Sequence, residues 1–247
     1  MDFIIFDLEF NQDPASLQSF DRGSYPYPFE IIQIGAIKLD LNLRTIATFN
    51  RYIKPTFYAE INPFITELTG IATEHLMKEQ LFPDVYSAFI EFIDGIDSVF
   101  CIWGMADIKG LFNNVEYHQL DRRLLPQMVI NLQSYISKHF NHSRKCLLGL
   151  QTAVELLKIP TVYRFHDAFN DAIYTAEVLR KTYNPSIRPL PYDQCCKAAR
   201  PKPRKRVLDT GNLIKQFEKM YGRDMTDEEK SIIELAYKMG RTNQFLK

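Results

Sequence analysis

The chain has 247 residues, of which 46% are hydrophobic and 24% are charged, and its formal net charge is zero. These values are ordinary for a globular protein, and the length allows one large domain, or one domain plus a small appendage. No apolar run approaches the ~18 residues that a membrane span needs. The opening "MDFIIFDLEF" lacks a basic region and a cleavage site, so it does not indicate a signal peptide. We therefore expect a cytoplasmic protein with no membrane segment.

Three strands are predicted near the start of the chain. The segment "DFIIFDLEF" is apolar and contains two acids near its end, "EIIQIGAIKLD" follows at residues 30–40, and "RTIATFNRYIKP" at residues 44–55 ends at a proline. A polar loop rich in proline and glycine, residues 11–28, separates the first two strands. Because loops of that length are more often functional than idle, we expect this one to have a role.

Helical and strand patterns then alternate up to residue 183. Helices are predicted at residues 83–95, 106–115, 147–159 and 167–183, and strands at residues 97–103 and 127–132. This order predicts an α/β domain with a mixed sheet, in which an antiparallel start is followed by crossover units.

The composition changes after this domain. Residues 186–208 are rich in proline, and the run 197–206 within them has six basic residues and no acid, which predicts a linker. The linker would join a domain at residues 1–185 to a helical extension at residues 209–247. The extension is predicted to form two short helices, with a Thr-x-x-Glu capping box at Thr226 before the second.

The basic charge is concentrated toward the end of the chain. Residues 1–191 hold 17 Lys and Arg against 22 Asp and Glu, whereas residues 192–247 hold 13 against 8. Two interpretations of the basic run remain open, phosphate contacts with a nucleic acid or a solvated linker. The side chains concerned are Lys202, Arg204, Lys205 and Arg206.

Two acids near the N-terminus lie on one face of a strand. Asp7 and Glu9 are two residues apart, and side chains at that spacing point to the same side. Adjacent carboxylates beside a hydrophobic core repel each other and are costly to desolvate, and a shared divalent cation would remove that cost. A strand that ends in exposed acids is the alternative for this pair taken alone.

Three further residues are ambiguous one at a time. Asp107 follows a predicted strand, where ligands gather in sheets of this class, but it is also an acid at a helix N-terminus. Asp171 lies one turn past Asp167, and His166 directly precedes the helix. Asp167 is predicted to be the N-cap. Taken together, the four acids Asp7, Glu9, Asp107 and Asp171 and the histidine agree in order, spacing and context.

The segments that carry these residues resemble the three motifs of the DEDDh 3′–5′ exonuclease family. "FDLEF" is similar to the first motif, "WGMADIKGL" to the second, and "HDAFNDAIYTAEVL" to the third with its H-x4-D spacing. "EIIQIGAI" and "LTGI" also match, and in the family the latter precedes the first helices. The resemblance covers about residues 1–183 and is nearest to the branch of Eri-type and histone-mRNA 3′ exonucleases. Met105 departs from that branch, which tends to have a polar residue there.

The resemblance implies a ribonuclease-H-like fold, a five-stranded mixed sheet flanked by helices. It implies that Asp7, Glu9 and Asp171 hold the ion that binds the attacking water, that Asp7 also holds a second ion, and that Asp107 acts mostly through water on that second ion. Carboxylate ligands and a phosphate substrate favour Mg²⁺ or Mn²⁺ for both ions. His166 would be the general base. Single-stranded RNA, or DNA, would be degraded from its 3′ end to nucleoside 5′-monophosphates, with RNA favoured.

The resemblance also implies a pocket for the terminal nucleotide. The residues that would line it are Leu8, Phe10, Thr69, Gly70 and Ile71. For Phe10, core packing is an equally good interpretation. Two other functions are considered, a DNA proofreading subunit with a protein partner on the C-terminal extension, and a nucleic-acid-binding regulatory module without turnover. The complete set of acids and His166 argue against the second of these.

Overall fold

The computed structural model describes residues 2–12, 29–142, 146–184, 187–192 and 209–241. Most of the predicted functional loop, residues 13–28, and all of the basic run at 197–206 lie outside these ranges. The chain divides into two compact units, Met1–Asp193 and Gln194–Lys247. Among the described residues, every helix is too short or too polar to span a membrane.

The first unit is built on a six-stranded mixed sheet. Its strands are β1 (Phe3–Gln12), β2 (Phe29–Leu39), β3 (Thr45–Tyr52), β4 (Val99–Ile102), β5 (Met128–Asn131) and β6 (Leu190–Pro191). The strand order is β3-β2-β1-β4-β5-β6. The pairs β1–β2 and β2–β3 are antiparallel, β1–β4 and β4–β5 are parallel, and β6 returns antiparallel to β5. The predicted α/β fold with an antiparallel start is confirmed, with a sixth strand beyond the five expected.

The sixth strand lies in the segment that the composition assigned to the linker. Leu190 and Pro191 pair with β5, and the backbone N–H of Tyr192 donates to the Gln127 carbonyl at 2.7 Å. Proline is tolerated at a sheet edge because its missing N–H is not needed there. A proline-rich sequence therefore concealed a short edge strand, and the sheet domain extends past the predicted boundary at residue 185.

Seven α-helices accompany the sheet in the described part of this unit. They are α1 (Pro63–Thr69), α2 (Thr73–Leu76), α3 (Phe82–Ile93), α4 (Ala106–Tyr117), α5 (Leu132–His139), α6 (Leu150–Leu156) and α7 (Ala168–Thr182). The sequence predicted α3, α4, α6 and α7. The expectation that "LTGI" precedes the first helices is wrong, because its first two residues end α1 and Gly70 caps that helix with a φ of 80°.

Alternate side chains of β1 enter two different cores. Ile4, Phe6 and Leu8 pack among residues of α3 and α4. Phe3 and Ile5 pack on the opposite face, among residues of α7. Because a strand alternates its faces, Asp7 and Glu9 continue the α7 face. The strand thus carries its two carboxylates toward the start of α7.

The second unit contains α8 (Thr210–Tyr221) and α9 (Asp227–Arg241). The predicted capping box at the start of α9 is confirmed. The Thr226 N–H donates to Glu229 Oε2 at 2.9 Å, and the Glu229 N–H donates to Thr226 Oγ1 at 3.3 Å.

Candidate active site

Three carboxylates converge where β1 meets α7. Asp7, Glu9 and Asp171 each offer an oxygen, and these oxygens lie within 4.8 Å of one another, the one such group of potential metal ligands among the described residues. Glu9 and Asp171 are buried, and Asp7 is partly buried. The Oδ1 atom of Asp171 is buried without a hydrogen-bond partner in the described part of the chain. A divalent cation would give this oxygen a partner and neutralise the cluster, so the donor set fits a metal.

Asp107 approaches the three acids from the segment that follows β4, the strand next to β1. It is a buried residue in the first turn of α4, which follows β4 through Gly104 in a left-handed conformation, φ 95°. Asp107 is outside the compact group of three, but its charge raises the pKa of Asp7. Because β4 runs parallel to β1, its carboxyl end brings Asp107 to the same edge of the sheet, as the sequence predicts.

Burial and mutual repulsion raise the pKa of all four acids. Loss of solvation is the main cause in each case, and the neighbouring carboxylates add to it. The pKa of Glu9 rises to about 8 and that of Asp171 to about 6, while those of Asp7 and Asp107 also lie above their usual range. The metal-free site therefore retains protons near neutral pH, and a bound cation would displace them.

A glycine in β2 lets α7 approach the acids. Gly35 pairs with Asp7 across the antiparallel ladder. A Cβ at Gly35 would lie 2.2 Å from the Ala168 carbonyl carbon and from the Phe169 nitrogen. The first turn of α7 therefore rests directly on the backbone of β2. No role was predicted for Gly35, although a glycine inside a buried apolar strand indicates close approach of another backbone.

Gln33, two residues before that glycine, fixes the start of the same helix. Its Nε2 donates to Asp167 Oδ2 at 3.2 Å, and its Oε1 accepts from the Ala168 N–H at 3.2 Å. Asp167 Oδ1 accepts from the N–H groups of Phe169 and Asn170 at 3.1 and 3.0 Å, which confirms the predicted N-cap. No role was predicted for Gln33 either, and its signal was a polar side chain within the apolar run of β2, where it is fully buried.

His166 is joined to the acidic cluster through its backbone. Its backbone N–H donates to Asp171 Oδ2 at 3.2 Å, and its backbone is left-handed with a φ of 63°. The residue is exposed and lines a cleft of about 460 Å³. The other residues lining this cleft are Phe64, Glu67, Leu68, Arg164 and Phe165. The structure thus brings the predicted base next to the predicted metal ligands and leaves it accessible.

Most of the side chains predicted to line a nucleotide pocket are buried in the core or hydrogen-bonded within the protein. Leu8 is 4% exposed and belongs to the core, and Ile71 is 5% exposed. The Thr69 hydroxyl donates to the Ile65 carbonyl at 2.8 Å and accepts from the Ile71 N–H at 3.0 Å. Gly70 is exposed. In this structure a contact with a nucleotide would therefore come from the backbone near Gly70 rather than from these three side chains.

Phe10 is half-buried between two elements. A Cβ at Gly110 of α4 would lie 2.4 Å from its ring, and its ring meets Phe29 edge-on with the centroids 6.0 Å apart. Of the two interpretations of Phe10, core packing accounts for these contacts. Phe10 shares its face of β1 with Leu8, opposite to the acids.

Comparison with known proteins gives consistent matches. The family model described as "Exonuclease", of the RNase T type, matches residues 4–179. The 3′–5′ exonuclease crn-4 of Caenorhabditis elegans is 22% identical over 223 residues, which cover 79% of this chain and 73% of that protein. A PolC-type DNA polymerase III of Caldanaerobacter subterraneus subsp. tengcongensis is 27% identical over 180 residues, 73% of this chain and 11% of the polymerase.

Solved structures show the same fold. The nuclease domain of 3′hExo, a DEDDh family member bound to rAMP, superimposes with a TM-score of 0.62 at 21% identity. The match covers 73% of this chain and 90% of that domain. The three exonuclease motifs identified in the sequence lie within the residues that the family model matches. The chain therefore belongs to the RNase T-type exonuclease family and is a DEDDh 3′–5′ exonuclease.

Proposed function

We propose that this enzyme is a two-metal exonuclease that degrades single-stranded nucleic acid, preferentially RNA, from the 3′ end to nucleoside 5′-monophosphates. The observation that carries the proposal is the convergence of Asp7, Glu9 and Asp171 within 4.8 Å, with His166 bonded through its backbone to the last of these. A cytoplasmic location and a protein partner for the C-terminal extension remain predictions from the sequence.

The acids would hold two Mg²⁺ or Mn²⁺ ions. Asp7, Glu9 and Asp171 would bind one ion, Asp7 would contribute to the second, and Asp107 would act on the second mostly through water. When bound, two such ions lower the pKa of water and stabilise the entering and leaving oxygens of an in-line displacement at phosphorus. Four buried or partly buried carboxylates with raised pKa values are groups that gain from such neutralisation.

His166 would accept the proton of the attacking water. The residue is exposed at the cleft, and its main chain is tied to a ligand of the ion that would hold that water. Histidine exchanges protons readily near neutral pH, which suits a general base. The water oxygen would then attack phosphorus, and the bond to the 3′ oxygen of the preceding nucleotide would break. That oxygen would take a proton from solvent, so the products are a nucleoside 5′-monophosphate and a strand that ends in a 3′-hydroxyl.

The preference for RNA over DNA draws on the relatives. The 3′hExo nuclease domain was solved with a ribonucleotide, rAMP, which supports RNA. The PolC-type relative is a DNA polymerase, which supports the alternative of a DNA proofreading exonuclease. A binding module without turnover is the least supported function, because all four acids and the histidine are present together.

Single strands of RNA and DNA of one sequence, labelled at the 5′ end, test the proposal. With Mg²⁺ or Mn²⁺ we expect stepwise shortening of the RNA, slower shortening of the DNA, and no reaction in EDTA. His166→Ala should lower kcat by roughly 10²- to 10⁴-fold, the usual contribution of a general base. Faster removal of mismatched DNA ends would favour the proofreading alternative. If neither strand were shortened with either metal, the proposed reaction would be wrong.

The basic run offers a separate prediction about long substrates. Replacement of Lys202, Arg204, Lys205 and Arg206 by Gln should weaken binding of a 20-nucleotide RNA and flatten its salt dependence. Each lost phosphate contact on a single strand reduces the slope of log K against log salt by about 0.7. Binding titrations between roughly 50 and 200 mM salt, where phosphate contacts lose much of their strength, would measure this slope. Cleavage of a dinucleotide should not change, and an unchanged slope would support the solvated-linker interpretation.

A further inference from the structure

We propose that Tyr174 and Asn170 are positioning residues that hold the histidine loop, residues 163–166, in place beside the metal-binding acids. The inference rests on the proposed function, because it assigns these side chains to the placement of His166 as the base. Both residues lie on α7, the helix that also carries Asp171. They would make the base and the metal ligand parts of one rigid unit.

Tyr174 holds the beginning of the loop through a single hydroxyl group. This oxygen accepts from the Tyr163 N–H at 2.7 Å and donates to the Tyr163 carbonyl at 2.8 Å. Tyr174 is only 1% exposed, and its ring stacks on Phe165 with the centroids 4.6 Å apart. The hydroxyl thus fixes both backbone polar groups of one loop residue, and the ring packs against another.

Asn170 holds the next residue of the loop. Its Nδ2 donates to the Arg164 carbonyl at 3.0 Å. The Arg164 guanidinium extends to the other side of the cleft, where it donates to the carbonyls of Glu67 and Leu68 at 3.1 and 2.9 Å. These carbonyls belong to the last turn of α1, where a cation is favourable. The loop is therefore tied to α7 on one side and to α1 on the other.

The conformation of His166 explains why the loop needs these anchors. Its φ of 63° is unfavourable for a residue with a side chain, and such a conformation persists only where the surroundings impose it. The His166 N–H bond to Asp171 Oδ2, at 3.2 Å, depends on that conformation. Without the hydroxyl of Tyr174 the first loop residue loses both of its bonds to α7, and the backbone at His166 is held less firmly beside the cluster.

Tyr174→Phe tests the proposal, because it keeps the ring and removes only the hydroxyl. We expect kcat on a short 3′-end substrate to fall about 10- to 100-fold, the scale of a small misplacement of a catalytic group. The affinity for Mn²⁺ should change less than about twofold, since none of the four acids is replaced. KM should change less than kcat, since the loop that moves forms only one side of the cleft. Tyr86→Phe is the matched control. Tyr86 is another buried tyrosine, whose hydroxyl donates to the Asp121 carbonyl at 2.7 Å, and its loss should leave kcat unchanged.

A double-mutant cycle separates positioning from a merely structural role. In a His166→Ala background, Tyr174→Phe should change the rate less than about twofold, because the group that it positions is gone. An equal loss in both backgrounds, or a wild-type kcat for Tyr174→Phe, would overturn the proposal. Asn170→Ala places a good helix former in the first turn of α7 and removes the bond to the Arg164 carbonyl, so it should also lower kcat. This variant tests the proposal if Tyr174→Phe does not fold. A wild-type enzyme that is inactive on every substrate would instead refute the proposed function, and with it the role of His166 as the general base.

Discussion

Asp7→Asn is expected to abolish hydrolysis and, at the same time, to stabilise the metal-free protein. Asp7 is the acid proposed to contact both ions, and a bound ion contributes several kcal/mol to the stabilisation of a phosphoryl transition state. Loss of the Asp7 carboxylate, and with it of a correctly bound ion, should lower kcat by about 10³-fold or more. The stabilisation has a separate cause, because burial and three neighbouring carboxylates disfavour the charge on Asp7. Asparagine has the same shape and no charge.

The stabilisation should depend on pH in a defined direction. Acids whose pKa is raised by folding contribute stability below their unfolded pKa and lose it as the pH rises through the folded pKa. For the metal-free site this loss extends from about pH 4 upward, past the pKa of about 6 for Asp171 and about 8 for Glu9. Asp7→Asn removes the buried ionisable group whose own pKa is raised by burial and by its neighbours. Its advantage over the wild type should therefore be near zero at about pH 4 and below, and should grow as the pH rises toward 8.

Thermal unfolding in EDTA measures this difference. Near pH 8 we expect Asp7→Asn to be more stable by on the order of 1–2 kcal/mol, which raises the Tm of a domain of this size by about 2–4 °C per kcal/mol. Asp97→Asn removes an exposed acid just before β4 and should change neither Tm nor kcat. With Mn²⁺ the order should reverse, because only the wild type gains the full binding energy. A lower Tm for Asp7→Asn in EDTA at pH 8 would contradict the electrostatic account.

The acids of the site could be predicted because their order and spacing resemble three motifs of a known family, and local geometry explains why that spacing groups them. A spacing of two on a strand places Asp7 and Glu9 on one face, and the parallel neighbour β4 brings Asp107 to the same edge. Asp171 follows a recognisable N-cap by one turn. The sheet followed from the alternation of strand and helix patterns. These features depend on the chain direction and on short-range spacing, both of which can be read along a single sequence.

The supporting contacts could not be predicted in this way. The bond between Gln33 and Asp167 joins residues 134 positions apart, and the bonds between Tyr174 and Tyr163 depend on how a loop folds back on a helix. Nothing in local spacing specifies either partner. The burial of Leu8, by contrast, follows from the alternation of β1, which places it on the face opposite to the acids, and the spacing that groups Asp7 with Glu9 also predicts it. A residue between two site residues in sequence can therefore lie on the other side of the sheet.

Gly35→Ala is expected to damage both the fold and the site, although the change adds only one methyl group. The added Cβ would lie 2.2 Å from two backbone atoms at the start of α7 and 2.4 Å from a third. Backbone cannot rotate away as a side chain can, so β2 and α7 must separate. We expect a loss of about 3 kcal/mol or more in the free energy of unfolding, at the upper end for overpacked sites. The corresponding fall in Tm is about 2–4 °C per kcal/mol.

The displacement should also reduce catalysis in the molecules that remain folded. Asp171 and the histidine loop move with the first turn of α7, whereas Asp7 and Glu9 stay with β1, so the distance between the two halves of the metal site increases. At a temperature well below the Tm of the variant we expect kcat to fall about 100-fold and the affinity for Mn²⁺ to weaken. Gly149→Ala is the matched control, because a Cβ there meets nothing within 4 Å. Gly149 is the N-cap of α6, and alanine at an N-cap costs no more than about 1 kcal/mol, so the stability should change little. Wild-type stability and kcat for Gly35→Ala would mean that α7 does not need its close contact with β2 to complete the site.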